Sequence, residues 1–121
     1  MKLVSKVVVA LCFIAGLSVS AFAHPPKDFD IEYDAQNKVL KILVQHQVTN
    51  PAGHYIEWLT VDLNKKNMVK QNFSSQRSKD LQDTQYIFID AKPNDQITVA
   101  AQCSVMGSLK KIYTVKDITK K

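Results

Sequence analysis

Three residues of this chain carry side chains that bind transition metals and are spaced so that a fold could bring them together. His46 and His54 flank a turn, and Cys103 lies far along the sequence. Imidazole suits zinc, copper, iron and nickel, and a thiolate adds a soft, electron-rich donor. These residue types indicate one redox-metal site, although their spacing matches neither CxxC nor HExxH.

The elements that must position these residues are short strands. Runs rich in β-branched and aromatic residues alternate with turn residues, and no stretch after the N-terminal segment has helical character. The predicted strands are 29–33, 39–48, 55–63, 68–73, 84–89, 97–103 and 109–115. About seven short strands in a chain of this size predict an all-β fold, an immunoglobulin-like antiparallel β-sandwich. Trp58 is expected in its core, and 74–83 is expected to be an exposed polar loop.

Strand alternation predicts that both His46 and Cys103 face the interior. His54 follows the turn 50–53 and so lies at the end of the sandwich where the second strand closes, within reach of His46. The inward set of the second strand is Leu40, Ile42, Val44, His46 and Val48, and that of the sixth is Ile97, Val99, Ala101 and Cys103.

Each candidate also has a simpler interpretation. A single histidine on an apolar face is more often a core or turn residue than a ligand, although histidine is the commonest metal ligand. A lone cysteine can be buried and inert, bound to a metal as a thiolate, or paired with another protein. Convergence of all three at one end of the sandwich favours the metal site.

The first 23 residues have the pattern of a secretory signal peptide. Lys2 and Lys6 precede an apolar stretch over 7–19, and Ala21-Phe22-Ala23 places small residues at the two ends of the cleavage motif. That stretch is shorter than the roughly 20 residues of a membrane-spanning helix. We therefore predict a signal peptide over 1–23, a single domain over 24–121, and a periplasmic or secreted location. Removal of the signal leaves Cys103 as the one cysteine of the mature chain.

The charge of the chain is modest. It carries 16 Lys and Arg against 11 Asp and Glu, a net charge of +5, and loss of Lys2 and Lys6 with the signal reduces it to +3. The remaining lysines are scattered through turns and the tail, without the arginine cluster or aromatic stripe that nucleic-acid binding requires. We predict no nucleic-acid partner, and no membrane association after cleavage.

Two segments resemble a known family. The stretch 46–58, which ends in the motif HYIEW, and the stretch 95–107, which contains a C-x-x-x-G motif, resemble the iron-binding domain of superoxide reductases, the desulfoferrodoxin and neelaredoxin family. The likeness covers about 24–115. It implies an immunoglobulin-like domain that holds mononuclear non-haem iron through four equatorial imidazoles and one axial thiolate, and that reduces superoxide to hydrogen peroxide with electrons from a separate donor.

The resemblance also assigns roles to residues. His24, beside Pro25, matches the first imidazole, His46 the second and His54 the third, and Cys103 matches the thiolate. Met106 stands where the family has its fourth histidine, and a thioether is a softer and less basic partner for iron than imidazole. The family's lysine before its first histidine has no counterpart, and Lys27 is the nearest electrostatic substitute.

Two other functions stay open from the sequence. A mature chain beginning His24-Pro25-Pro26 offers an amino group and an imidazole on one residue, the chelate of small periplasmic copper carriers; His, Met and Cys together suit Cu(I). Alternatively, the sandwich is a metal-free interaction module that uses its 74–83 loop.

Overall fold

The computed structural model describes residues 24–119, and the predicted signal peptide lies outside them. Within this range the chain forms seven strands, in agreement with the predicted number. Over the same residues, no helix is long and apolar enough to cross a membrane. The strands are β1 (Asp28–Asp34), β2 (Val39–Gln45), β3 (Ile56–Leu63), β4 (Lys66–Asn72), β5 (Leu81–Ile87), β6 (Gln96–Cys103) and β7 (Ser108–Thr114).

The described strands form two antiparallel sheets that pack as a sandwich. One sheet has the order β1-β2-β5 and the other the order β4-β3-β6-β7. The connections β2–β3, β4–β5 and β5–β6 therefore pass from one sheet to the other, as in immunoglobulin-like folds, and the predicted fold class is confirmed. The inner faces supply a continuous core because every second residue of each central strand points inward. Its fully buried members include Phe29, Leu40, Ile42, Val44, Ile56, Leu59, Val61, Ile97 and Val99.

The tight connection between β3 and β4 shows how local sequence sets the register of a sheet. Asn64 and Lys65 both have positive φ, 49° and 73°. Two such residues in succession give the hairpin turn whose twist matches that of paired strands. Leu63 and Lys66 therefore pair directly.

The predicted bounds of two strands differ from the structure by three residues at one end, more than those of the other strands. β2 ends at Gln45 rather than at residue 48, although the inward alternation continues through His46 and Val48. β5 begins at Leu81, inside the segment predicted to be loop, and Ile89 lies beyond its end. The predicted exposure of 74–83 is wrong in part, since Gln76 and Gln82 are buried. The polar composition of the segment predicts exposure, but both amides have hydrogen-bond partners inside the protein, so they can be buried.

Trp58 lies outside the buried core, contrary to the sequence prediction. β3 is irregular against β6: Ile56 pairs with Cys103 and Trp58 with Gln102, so one additional β3 residue, Glu57, interrupts the ladder. Such a bulge reverses the alternation of side chains along a strand. Ile56 and Leu59 thus both face inward, while the half-buried Trp58 ring has the Lys70 ammonium 5.7 Å from its centre.

Candidate metal centre

His46 is held by the chain that continues β2 beyond its last ladder pair. Its backbone N–H donates to the Asp80 carbonyl at 3.0 Å, and the Val48 N–H donates to the Lys79 carbonyl at 2.7 Å. These bonds keep the segment extended, so the inward alternation of β2 persists. The His46 side chain is only 1% exposed, which confirms the predicted orientation.

His54 is delivered by the turn that precedes β3. The backbone N–H groups of Gly53 and His54 donate to the Asn50 carbonyl at 3.1 and 2.9 Å, and the Ala52 N–H donates to the Asn50 side-chain oxygen at 3.1 Å. Asn50 is therefore the organising residue of this turn, a role that asparagine often takes. The turn leaves His54 half-buried at the end of the sandwich.

Cys103 is the last residue of β6 and faces the interior at 1% exposure, as predicted. Its partner across the ladder is Ile56, two residues after His54. Its N–H donates to the Gly107 carbonyl at 2.9 Å, which closes the loop to β7, and the Val105 N–H lies 3.4 Å from its sulfur. The register thus fixes the thiol beside the start of β3.

The three candidates meet at one end of the sandwich. The Nε2 atom of His54 lies 3.0 Å from the Cys103 sulfur, and the ring centres of His46 and His54 are 4.9 Å apart. His46, His54 and Cys103 each offer one ligand atom, and these atoms all lie within 4.8 Å of one another. The predicted convergence of these three side chains is therefore present, and their group could hold a metal ion.

His24 lies at the surface above this group. Its ring centre is 5.4 Å from that of His46 and 5.5 Å from that of His54. The segment that carries it is docked, because the Lys27 N–H donates to the Gln45 carbonyl at 2.7 Å and Pro26 is buried. His24 is exposed and lies outside the group whose ligand atoms fall within 4.8 Å.

A glycine makes the docking of this segment possible. Gly107 has a φ of +90°, and a Cβ atom there would lie 2.8 Å from the Pro25 Cβ. Any larger residue would collide with the proline and would also be strained by its backbone. The neighbouring Met106 has a side chain that is 61% exposed and lies outside the metal-binding group of the described residues.

The surroundings of His54 favour its neutral imidazole. Burial lowers the pKa of His54 below its ordinary 6.5, and the nearby His46 and His24 lower it further because positive charges there would repel each other. The Nδ1 atom of His46 lies 2.8 Å from the Gln76 side-chain oxygen. Its other nitrogen, Nε2, is buried and has no hydrogen-bond partner among the described residues. A buried nitrogen without a partner is costly unless something binds it.

Two open clefts give access to this end of the molecule. One, of about 580 Å³, is lined by residues that include His24, His54 and Lys79. The other, of about 620 Å³, is lined by residues that include His24, His46 and Lys27. Lys27 could be named from the sequence, whereas Lys79 and Gln76 could not, because neither lies near a candidate ligand along the chain.

Comparison with known proteins gives a fold but no family. The sequence matches no family model and no curated protein. Two similar solved structures are variants of the superoxide reductase (neelaredoxin) from Ignicoccus hospitalis. One has a TM-score of 0.52 and 14% sequence identity, and the match covers 75% of this chain and 80% of that one. The other has a TM-score of 0.50 and 13% sequence identity, and the match covers 73% of this chain and 77% of that one. By fold, then, the chain is a superoxide-reductase-like β-sandwich with a His/His/Cys group at one end.

Proposed function

We propose that this protein is an exported mononuclear iron protein that reduces superoxide to hydrogen peroxide, with His46, His54 and Cys103 as metal ligands and His24 as a fourth. The observation that carries the proposal is the buried His46 Nε2 atom, which has no partner among the described residues and belongs to a group with an imidazole and a thiol. A packed core gains nothing from this arrangement, whereas a metal ion would satisfy all three donors.

The donor set fits a redox metal. The His54 imidazole already favours the neutral form that a ligand needs, and Cys103 would contribute the single negative charge as a thiolate. His24 would bind from the solvent side once the docked segment holds its ring in place. A buried metal-bound thiolate would also explain how a lone cysteine persists in an oxidising compartment.

The remaining residues would bring the substrate to the site. Superoxide is a small anion, and Lys79 and Lys27 each line one of the two clefts that open beside His24, although Asp80 lines both clefts and offsets part of their charge. Positive charge at the mouth of a cleft raises the local concentration of anions. When bound, iron(II) supplies one electron to superoxide, which with two protons becomes hydrogen peroxide, and a separate one-electron donor restores iron(II) from iron(III).

Copper binding is a second candidate function. Two imidazoles and one cysteine are the donor set of electron-transfer copper sites, and soft thiolate favours Cu(I). In this case the exposed His24, with the amino group that signal cleavage would free, would load the ion, and the protein would carry copper without turnover.

The proposal is tested on protein exported from cells and purified without chelators. We expect about one iron per chain by elemental analysis, the blue colour of ferric thiolate, and consumption of superoxide that yields peroxide without dioxygen. About one copper per chain with no superoxide consumption would support the carrier instead. Protein without metal that also fails to bind added Fe(II) or Cu(I) would support a metal-free interaction module.

A further inference from the structure

Gln76 is a buried polar residue, 5% exposed, in the connection between β4 and β5. Its side-chain Nε2 donates to the carbonyl of His46 at 2.7 Å and to the carbonyl of Ser78 at 2.9 Å. Its Oε1 lies 2.8 Å from the Nδ1 atom of His46. One amide therefore holds both the backbone and the ring of a single histidine.

These contacts determine which way the amide faces. Two carbonyl oxygens can be satisfied only by the NH2 group, because an amide oxygen accepts hydrogen bonds and donates none. The oxygen of Gln76 must then face the His46 ring, and Nδ1 must carry the proton that it accepts. Rotating the amide would set its oxygen against two carbonyls and lose both bonds.

We infer that Gln76 is a positioning residue that keeps His46 protonated on Nδ1 and leaves Nε2 free to bind the metal. The expected effect on metal affinity rests on the proposed function, but the tautomer of the His46 ring can be measured without metal. The nitrogen that Gln76 leaves free is one of two buried side-chain polar atoms that have no hydrogen-bond partner among residues 24–119. Outer partners of this kind orient a ligand and raise its basicity.

Gln76 also connects the two histidine-bearing segments. Its backbone N–H donates to the Pro51 carbonyl at 2.9 Å, within the turn that delivers His54. His46 and His54 are thus tied to the same residue, one through the side chain and the other through the backbone. Loss of the side chain would free the His46 ring to rotate while the backbone bond to the turn could remain.

The first measurement is the tautomer of His46 in metal-free protein at pH 8, read from the ¹⁵N shifts of the ring. We expect Nδ1 to be protonated and Nε2 to be bare in the parent protein, and a mixture of tautomers in Gln76→Leu. A parent ring protonated mainly on Nε2 would overturn the inference, whatever the metal content of the protein.

The second measurement is affinity for Co(II), followed through the absorption of its thiolate complex, and for Fe(II). We expect Gln76→Leu to bind each ion about 10- to 100-fold more weakly. Gln76→Glu keeps an oxygen that accepts from Nδ1 but loses donors to two carbonyls. We therefore expect it to lose stability while it retains most of the affinity and the Nδ1-protonated ring.

The matched control is Gln82→Leu, which removes another buried amide from the same part of the chain. Gln82 accepts a hydrogen bond from the Arg77 N–H and donates one to the Asp83 carbonyl, and neither bond involves His46. The Gln82→Leu protein should unfold more easily than the parent and bind Co(II) with the same affinity. Equal losses of affinity in both Leu variants would show that Gln76 acts only through stability and would overturn the inference. If the parent itself bound neither ion, the proposed function would fail while the tautomer still decided the role of Gln76.

Discussion

The two ends of the sandwich close in different ways. At the end opposite the histidines, the rings of Tyr33 and Phe88 meet edge to face with centres 6.3 Å apart, and the Tyr33 hydroxyl donates to the Phe88 carbonyl at 2.6 Å. At the other end, the His46 ring is just as deeply placed, yet one of its nitrogens has no partner among the described residues.

This difference separates a structural buried polar group from one arranged for a ligand. Tyr33 places its one polar atom against a carbonyl, so burial costs it little. His46 has one nitrogen satisfied by Gln76 and the other without a partner among the described residues, and it groups with the His54 imidazole and the Cys103 thiol. Changes at the histidine end should therefore alter the metal site or access to it, whereas a change at the Tyr33 end should alter stability alone.

The largest effect is expected from removing a metal-binding side chain. Cys103→Ser and His54→Ala should each lower the affinity for Fe(II) by more than about 100-fold, since loss of an outer partner already costs about 10- to 100-fold. Elemental analysis after gel filtration measures the loss. Met106→Ala is the control, because that side chain is exposed, and it should keep its metal. Unchanged metal content in either Cys103→Ser or His54→Ala would show that the proposed group does not bind the metal.

A smaller effect is expected from Gly107→Ala. The new Cβ would meet Pro25, and the positive φ disfavours alanine, so the unfolding free energy should fall by about 1–3 kcal/mol. Displacement of the N-terminal segment should also reduce metal affinity to that of His24→Ala. Combining the two substitutions should then give no further loss of affinity, as measured by Co(II) titration.

Gly53→Ala is the control for that pair. A Cβ there meets only the flexible side chain of Asn50, at 3.2 Å for its nearest atom. We expect it to leave the His24 contribution to affinity intact. Additive losses in the Gly107→Ala, His24→Ala double variant would show that the contact with Pro25 does not position His24.

Tyr33→Phe tests the opposite end. It removes one buried hydrogen bond and should lower the unfolding free energy by about 1 kcal/mol in urea denaturation. The affinity for Fe(II) should stay that of the parent, because the change lies at the far end of β1. A Tyr33→Phe protein with weakened metal binding would contradict the separation of the two ends.

The smallest effect is expected from Lys79→Ala. The lysine lines the cleft beside His54 without belonging to the metal-binding group, so its charge should act on the approach of superoxide. The second-order rate should fall a few-fold at low ionic strength, and the difference should shrink as salt screens the charge. Lys65→Ala, in the β3–β4 turn, should leave the rate unchanged. If the Lys79→Ala and Lys65→Ala proteins reacted with superoxide at the same rate, Lys79 would not be the residue that attracts the anion.

Much of the fold could be predicted because strand periodicity and turn residues are local signals. The number of strands and the inward faces of β2 and β6 follow from alternation alone, and that alternation placed His46 and Cys103 inside. The error at Trp58 has an equally definite cause. A bulge depends on how two strands pair across a sheet, so residues 55–63 by themselves do not reveal it.

The all-β sandwich and the presence of residues able to bind a metal can be read from the chain directly, because strands and turns are recognised from neighbouring residues and ligands from their residue type. Three contacts became known only from the fold: the Cys103 sulfur lies 3.0 Å from the His54 Nε2 atom, Gly107 leaves room for Pro25, and Gln76 holds His46. Each of these contacts joins segments far apart in sequence. Strand register and loop packing set such distances, and neither is encoded in the spacing of the residues concerned.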